Sequence, residues 1–227
     1  MGEAKGWRCG LAVTAILAMM VFVGCDNPNG PGGGGKGSFI DSRDGKSYKT
    51  VKIGDQTWMA ENLNYDASGS VCYKNQESNC STYGRLYDWE AVMNGAPSST
   101  SSPSGVRGVC PEGWHMPSEA EWMTLMDFAG GSSKAGGKLK SAAGWDEVYE
   151  GWIESNGTDN YGFSALPGGY GLPGGFVVVG KYGQWWSATE GDANNAAWWF
   201  SMTGGNAGMD RARSPKTYLL SVRCLLD

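Results

Sequence analysis

Alternating apolar and polar residues predict three short strands at the start of the folded region. Residues 39–42, 46–53 and 56–60 are rich in β-branched and aromatic side chains. The dipeptides at 44–45 and 54–55 are Asp-Gly and Gly-Asp, which favour tight turns between antiparallel strands. The pattern therefore predicts an antiparallel meander.

Two helices are predicted in the middle of the chain. The first spans residues 84–93 and ends before Asn94-Gly95. Its apolar face consists of Leu86, Trp89 and Met93. The second begins at Ser118, because residues 118–121 read Ser-Glu-Ala-Glu and have the form of a capping box. Two glycines at 130–131 predict its end. Its apolar face consists of Trp122, Leu125, Met126 and Ala129.

Glycine-rich segments separate these helices from a second group of strands. The chain contains 37 glycines among its 227 residues, which is about twice the usual share. Further strands are predicted at residues 176–180, 184–188, 197–202 and 217–225. Two early helices, short antiparallel strands and long glycine-rich loops together predict an α+β fold.

The first 25 residues have the pattern of a bacterial lipoprotein signal peptide. Lys5 and Arg8 precede the apolar stretch 9–23, which is too short to span a bilayer comfortably. The stretch leads into Phe-Val-Gly-Cys at 22–25, which resembles a lipobox with phenylalanine where leucine is usual. We therefore expect Cys25 to carry the lipid. The alternatives are an uncleaved membrane anchor or a cleavage site elsewhere.

The rest of the chain divides into a tether and one domain. Residues 26–38 are rich in glycine, proline and asparagine, and we expect them to form a flexible tether. The folded domain is predicted at 39–227. A lipid anchor would place this domain at the bacterial cell envelope, on the outer membrane or the cell surface.

Four cysteines remain after the signal peptide and the lipid site, and they predict two disulfides. They are Cys72, Cys80, Cys110 and Cys224. An even number in an exported chain indicates pairing, with three possible connectivities. We favour 72–80, which flanks a short polar loop, and 110–224, which ties the last strand to the middle of the domain. A four-thiolate zinc site is the alternative, but the spacings are not C-x-x-C.

Charge and histidine content exclude several kinds of function. The chain has 18 basic and 23 acidic residues, and its net charge of -5 argues against a nucleic-acid partner. Its single histidine excludes a metal site built from several histidines. No motif in the sequence indicates a cofactor or a metal, but calcium bound through backbone and acidic loop oxygens stays open.

Five separated motifs resemble, in their order, the Fibrobacter succinogenes major paralogous domain. They are DGKSYKTVKIGDQTWMAENLNY (44–65), YGRLYDWEAVMNG (83–95), GVCPEGWHMPSEAEWMTL (108–125), WWSATE (185–190) and SVRC (221–224). The resemblance covers almost all of residues 39–227. That family consists of exported bacterial proteins, many of them lipoproteins, with no established molecular activity.

A more distant likeness points to a lectin-like core. His-Met-Pro-Ser-Glu-Ala-Glu-Trp at 115–122 and Ser-Val-Arg-Cys at 221–224 are similar to motifs of the formylglycine-generating, sulfatase-modifying variant of the C-type lectin fold. The likeness implies a mixed α+β, lectin-like fold with irregular loops. It does not carry the chemistry over, because residues 202–220 lack the copper-binding cysteine pair and the calcium-lectin motifs are absent.

Aromatic residues in the glycine-rich half are the candidate ligand-binding groups. They are Trp145, Trp152, Tyr161, Tyr170, Tyr182, Trp185, Trp186, Trp198 and Trp199. Neighbouring strand residues point to opposite faces, so one of Trp185 and Trp186 and one of Trp198 and Trp199 are expected to face outward. There they would stack on sugar rings. The competing interpretation, which we favour, is that these rings fill the core.

No catalytic residue can be selected from the sequence. His115 directly precedes the capped helix, which favours a structural role. Two carboxylates are enough for a glycosidase, but nothing in the sequence selects a pair. Glu119 and Glu121 are explained as acids of a helix N-terminus.

These observations favour a lipid-anchored, non-catalytic binding or adhesion module with polysaccharide as the expected ligand class. The tether, the aromatic content and the lack of catalytic motifs all support this interpretation. Two alternatives stay open: an exported hydrolase that uses two carboxylates on glycans, and a purely structural envelope protein.

Overall fold

The computed structural model describes residues 35–148, 156–192 and 195–227. The predicted signal peptide with Cys25, the tether up to residue 34, and Trp152 lie outside the described residues. Within the described ranges, no helix combines the length and the apolar character needed to cross a membrane.

The described part of the chain is mostly β-structure with four short α-helices. The strands are β1 (Lys36–Ile40), β2 (Ser47–Ile53), β3 (Gln56–Met59), β4 (Ser70–Val71), β5 (Leu86–Tyr87), β6 (Trp114–His115), β7 (Tyr170–Leu172), β8 (Gly175–Val177), β9 (Tyr182–Glu190), β10 (Ala196–Thr203), β11 (Asp210–Pro215) and β12 (Leu225–Leu226). The helices are α1 (Glu77–Tyr83), α2 (Trp89–Met93), α3 (Glu119–Phe128) and α4 (Ala135–Leu139), and a 3-10 turn spans Tyr73–Asn75. The predicted α+β class is confirmed, whereas the lectin-like assignment stays a prediction.

The first three strands form the predicted antiparallel meander. They belong to a five-stranded sheet in the order β1-β2-β3-β12-β6. The β2–β3 turn needs Gly54, whose φ of 61° is a conformation that side chains disfavour. Strand β1 begins at Lys36, so the last three residues of the predicted tether pair with β2.

A second meander joins β9, β10 and β11. The edge strand β11 was not predicted, because its sequence Asp-Arg-Ala-Arg-Ser-Pro has too few apolar residues to suggest a strand. Charged side chains and proline are common on edge strands, where they discourage pairing with another chain. Two small antiparallel pairs, β4–β5 and β7–β8, complete the sheets of the described residues.

Side-chain caps set where two of the helices begin. Ser118 and Glu121 form both hydrogen bonds of the predicted capping box, so α3 begins where the sequence places it. The other predicted helix was expected from residue 84, but α2 begins at Trp89 because Asp88 caps it. The preceding Leu86–Tyr87 pairs with β4 instead. Helices α1 and α4 were not predicted, since neither has a clear apolar period.

The predicted strand at 217–225 is mainly a connection between sheets. Leu220 makes an isolated bridge to Tyr87, and Ser221 makes one to Trp185. Only Leu225–Leu226 forms a strand, β12, between β3 and β6. Because residues 217–225 pair with different strands in turn, they do not form one continuous strand.

Both favoured disulfides are present. Cys110 and Cys224 are fully buried, and their bond joins the last segment to the middle of the chain. Cys72, which precedes the 3-10 turn, is bonded to Cys80 in the middle of α1. The four thiols are therefore consumed in pairs, and the zinc alternative is not supported.

A buried polar hub links the C-terminal segment to the rest of the core. The side-chain oxygen of Asn62 accepts hydrogen bonds from Trp185 Nε1 at 2.9 Å and from Arg223 Nε at 2.8 Å. The other guanidinium nitrogens of Arg223 donate to the carbonyls of Phe163 and Ser164. Burial lowers the pKa of Arg223 to about 9, so it still carries its charge at neutral pH.

Candidate functional site

Trp185 and Trp186 are not available to a ligand, although one of them was expected to face outward. Both are fully buried. They do point to opposite faces of β9, but each face is covered by a separate apolar cluster, so no face of this strand is open to solvent there. Trp185 Nε1 donates to Asn62, and Trp186 Nε1 donates to the Tyr87 carbonyl.

Trp198 and Trp199 are half-buried, and both rings contact side chains of β11. The guanidinium carbons of Arg211 and Arg213 lie 5.1 and 4.9 Å from the centroid of the Trp198 ring. Trp199 packs against the core, and its Nε1 donates to the Ser214 hydroxyl at 2.8 Å. Both rings therefore already make contacts within the protein, and their role in ligand stacking stays a prediction.

A cleft of about 460 Å³ lies beside His115, whose ring is held at both nitrogens. The two ring nitrogens of His115 are 2.7 Å from Asp227 Oδ1 and 3.0 Å from Glu121 Oε1. Burial lowers the pKa of His115, but the hydrogen bonds and charges of the two carboxylates outweigh burial, so the net shift is upward. A histidine held at both nitrogens fastens α3 to the C-terminal residue, and the predicted structural role is favoured.

A wider, more open cleft of about 590 Å³ runs along α2. Asp88 lines it, but its carboxylate accepts the Ala91 N–H as the helix cap. Trp89 also lines it and is buried, and the Lys216 ammonium lies 4.3 Å from the centroid of its ring. Asp88 and Trp89 are therefore already engaged in contacts within the protein.

A third cleft, of about 250 Å³, combines two tyrosines with several polar side chains, and we name it the tyrosine cleft. Its walls come from the start of β2, the segment that follows β3, and the end of α1. It is lined by Lys46, Ser47, Tyr48, Glu61, Asn62, Asn64, Cys80, Ser81, Thr82, Tyr83, Gly84 and Leu166. Aromatic rings beside hydroxyl, amide and charged groups are the mixture that small polar ligands require.

Tyr48 supplies a buried hydroxyl to the tyrosine cleft. The side chain is 3% exposed, and its oxygen accepts the backbone N–H of Asn64 at 3.0 Å. Its own proton has no acceptor among residues 35–148, 156–192 and 195–227. Burial raises the pKa of Tyr48 to about 12, so this proton is retained and can be donated.

Buried contacts fix the opposite wall, which carries Tyr83. Asn62 Nδ2 donates to the Tyr83 carbonyl at 2.8 Å. Gly84 follows with a φ of 75°, and a methyl group there would lie 2.8 Å from the Cβ of Asn62, so glycine is required. The Cys72–Cys80 bond anchors the same helix. Tyr83 itself is half-buried, which leaves part of its ring at the cleft.

The rim of the tyrosine cleft carries paired charges. Lys46 Nζ donates to the Asn64 carbonyl at 2.5 Å and is 3.0 Å from Asp44 Oδ2. Glu61 Oε2 accepts the Lys49 N–H at 2.7 Å, and the Glu61 side chain remains 41% exposed. The rim therefore carries positive and negative side chains in pairs, so their charges largely cancel.

Sequence reasoning did not find this cleft. Its residues come from 46–48, 61–64, 80–84 and Leu166, and no single segment contains enough of them to indicate a site. The available signal was the motif at 44–65, which contains six of the lining residues but was used mainly for its resemblance to the family.

The comparisons with known proteins identify the family. The Fibrobacter succinogenes major domain matches residues 51–225, which is more than half of the chain. The chain belongs to this family. The matched region includes the 61–64 and 80–84 walls of the tyrosine cleft, while Lys46, Ser47 and Tyr48 precede it. No curated protein and no solved structure matches the chain.

Proposed function

We propose that this member of the family is a non-catalytic, lipid-anchored binding module of the bacterial cell envelope that recognises polysaccharide through the tyrosine cleft. The lipobox at 22–25 supports the anchor, and the cleft supports the binding activity. The likeness to the lectin-like fold agrees with this proposal without supplying a sugar site of its own.

The observation that carries the proposal is the Tyr48 hydroxyl. A buried donor without an acceptor is unfavourable unless a ligand or water completes its hydrogen bond. A sugar hydroxyl satisfies this donor, and the half-exposed ring of Tyr83 offers an apolar surface to the C–H face of the same sugar. Asn64 and Glu61 add the amide and carboxylate groups that bind further hydroxyls.

The residues of the tyrosine cleft support binding more than they support glycoside hydrolysis. Among its described lining residues, Glu61 is the single carboxylate, and one of its oxygens already accepts the Lys49 N–H. Glycoside hydrolysis ordinarily needs a pair of carboxylates across the scissile bond. The cleft therefore suits binding better than bond cleavage.

A retention assay with the full chain tests binding. The protein, purified in non-ionic detergent, is incubated with insoluble cellulose, chitin and xylan, and the bound fraction is measured. We expect retention on at least one polysaccharide, with no release of reducing sugar. Absence of retention on all three, with a far-ultraviolet circular dichroism spectrum that shows a folded protein, would overturn the proposal.

Matched variants assign the binding to the cleft. Tyr83→Ala should weaken retention by about two- to tenfold, the effect of one aromatic contact. Phe128→Ala removes a 52% exposed ring outside the cleft and should have no effect. Tyr48→Phe should weaken binding by about fivefold, the effect of one hydrogen bond. Tyr161→Phe is its control, because Tyr161 is a half-buried tyrosine that lines no described cleft.

A separate experiment tests the anchor. Mass spectrometry should find acyl chains on Cys25 of the wild-type protein and none at this position in Cys25→Ser. Cys9→Ser is the control and should leave the acylation of Cys25 unchanged. A wild-type protein without acyl chains on Cys25 would contradict the lipid anchor.

A further inference from the structure

The Cys72–Cys80 bond belongs to the α1 wall of the tyrosine cleft. Both cysteines are buried, but Cys80 lines the cleft, and neither cysteine is part of the two apolar clusters of the core. The neighbouring residues 74–78 and 81–82 are exposed. The two sulfurs therefore lie within a surface element and not in the interior of the domain.

A buried guanidinium contacts both sulfurs of this bond. Arg85 Nη1 donates to Cys72 Sγ at 3.3 Å and to Cys80 Sγ at 3.5 Å. Nε of the same side chain is buried and has no hydrogen-bond partner in the described part of the chain. Sulfur is a weak acceptor, so these contacts leave a buried cation poorly satisfied.

Two carboxylates near Arg85 are too exposed to neutralise it fully. Arg85 Nη2 forms an ion pair with Asp66, whose side chain is 75% exposed. Nη1 is 3.9 Å from Glu77 Oε1, and the Glu77 side chain is 87% exposed. Ion pairs with exposed groups are weak, because water and salt screen them. The guanidinium therefore keeps most of its attraction for a negative charge that forms beside it.

Reduction of the bond by a dithiol creates such a charge. One thiolate of the dithiol attacks Cys80 Sγ from the cleft, the S–S bond breaks, and Cys72 leaves as a thiolate. The second sulfur of the dithiol then attacks the mixed disulfide, Cys80 leaves, and the dithiol is oxidised to a disulfide. Two electrons pass to the protein, and the two protons of the dithiol pass to solvent or to the released sulfurs. Arg85 stabilises the thiolate at either position.

The Cys110–Cys224 bond has a different environment. Both residues are fully buried in an apolar cluster of the core. Within the described ranges, no side-chain donor forms a hydrogen bond with their sulfurs. A thiolate released there would lose its hydration without gaining a partner, which is unfavourable. A dithiol should therefore reduce the two bonds to very different extents.

We propose that the Cys72–Cys80 bond, with Arg85 beside it, is a site of thiol–disulfide exchange with dithiols, and that its reduction loosens the α1 wall of the tyrosine cleft. Helix α1 has only seven residues, Glu77–Tyr83, and a helix of this length depends on contacts outside itself. Reduction removes its one covalent tie to Cys72 and leaves weaker contacts, such as the hydrogen bond from Asn62 to the Tyr83 carbonyl. The inference does not depend on which ligand the cleft binds.

Differential alkylation tests the exchange. The full chain is incubated at about pH 7 with increasing concentrations of dithiothreitol, free thiols are blocked with N-ethylmaleimide, and the labelled peptides are quantified by mass spectrometry. The Cys72–Cys80 pair should be labelled at concentrations at least about tenfold lower than the Cys110–Cys224 pair, the effect of one hydrogen bond to a charged group. Labelling of both pairs at the same concentration, or of Cys110–Cys224 first, would overturn the proposal.

Charge variants assign the effect to Arg85. Arg85→Gln should raise the dithiothreitol concentration that reduces the Cys72–Cys80 bond by about tenfold. Glu77→Gln removes an exposed carboxylate whose oxygen lies within 4.8 Å of both sulfurs, and should lower this concentration by about two- to fivefold. Glu90→Gln changes an exposed acid on α2 and is the matched control. Glu77→Gln decides alone if Arg85→Gln does not fold, and an unchanged concentration in both variants would overturn the proposal.

Hydrogen exchange tests the effect on the cleft wall. Exchange is compared before and after treatment with a dithiothreitol concentration that leaves Cys110–Cys224 intact. Peptides that cover residues 77–84 should exchange faster after reduction, while those from α3 should be unchanged. Unchanged exchange at 77–84 would overturn the link between the bond and the cleft. Neither assay contains a sugar, so these results can be told apart from success or failure of the proposed polysaccharide binding.

Discussion

Removal of the two disulfides should have clearly different effects on stability. The compared proteins are the double variants Cys110→Ala/Cys224→Ala and Cys72→Ala/Cys80→Ala. The first bond closes a loop with a sequence separation of 114 and the second closes one of 8. A longer loop restricts the unfolded chain more strongly, so its bond stabilises the folded protein more.

The loop lengths give the expected magnitudes. Chain-entropy treatment gives about 4.8 kcal/mol for the 110–224 bond and about 2.5 kcal/mol for the 72–80 bond at 25 °C. For a domain of this size the corresponding decreases in Tm are about 10–19 °C and about 5–10 °C. Packing adds to the difference, because Cys110 and Cys224 lie fully buried in an apolar cluster and their replacement leaves space there.

Urea unfolding followed by tryptophan fluorescence measures both free energies, without reductant and at one pH. We expect the loss for the 110–224 variant to exceed the loss for the 72–80 variant by at least about 2 kcal/mol. Equal losses, or a larger loss for the 72–80 variant, would refute the reasoning from loop length and burial.

Three further substitutions test other contacts by the same unfolding assay. Burial lowers the pKa of His115, but the hydrogen bonds of Glu121 and Asp227 give a net increase above the unfolded value. Protonated His115 therefore stabilises the fold below its unfolded pKa, and this contribution is lost as the pH rises through its folded pKa. His115→Gln should lower the free energy of unfolding more at about pH 5.5 than at about pH 8.5. Equal losses at the two pH values would contradict this. Ser118→Ala should cost about 1 kcal/mol because it removes half of the capping box, and an unchanged stability would argue against the cap. Arg223→Lys should lower the free energy of unfolding by at least about 2 kcal/mol, because a single ammonium cannot reach three acceptors in different directions. A loss near zero would show that these hydrogen bonds contribute little to stability.

Local sequence signals predicted those elements whose conformation is decided by neighbouring residues. The capping box at Ser118 fixes the start of α3, and Gly54 fixes the turn between β2 and β3. Where a tertiary contact competes, the local pattern fails. Residues 86–87 have a helical apolar spacing with Trp89, but they pair with β4, and the helix starts only after Asp88.

The aromatic residues show a second limit of the sequence pattern. Alternation correctly places Trp185 and Trp186 on opposite faces of β9, but it cannot show that both faces are covered. Trp122 of α3 packs on one side of this strand, with its ring 6.2 Å from that of Trp185. Burial of a strand depends on which elements pack around it, and the sequence of the strand does not contain that information.

The tyrosine cleft could not be predicted for a similar reason. Asn62 looks like an ordinary polar residue after a strand, yet it binds Tyr83, Trp185 and Arg223, which are distant in the chain. The hydrogen bond from Asn62 to the Tyr83 carbonyl joins two walls of the cleft that are 21 positions apart in the chain. The disulfides were predictable because the number of cysteines and the expected export left few pairings.

The location of the bound sugar is the most direct test of the binding proposal. Hydrogen exchange of the full chain is measured by mass spectrometry with and without cellohexaose and, in turn, xylohexaose. The account predicts slower exchange in peptides that cover residues 61–64 and 80–84 with at least one of the two sugars. Slower exchange only along α2 or beside His115, or no change in any peptide with either sugar, would contradict it.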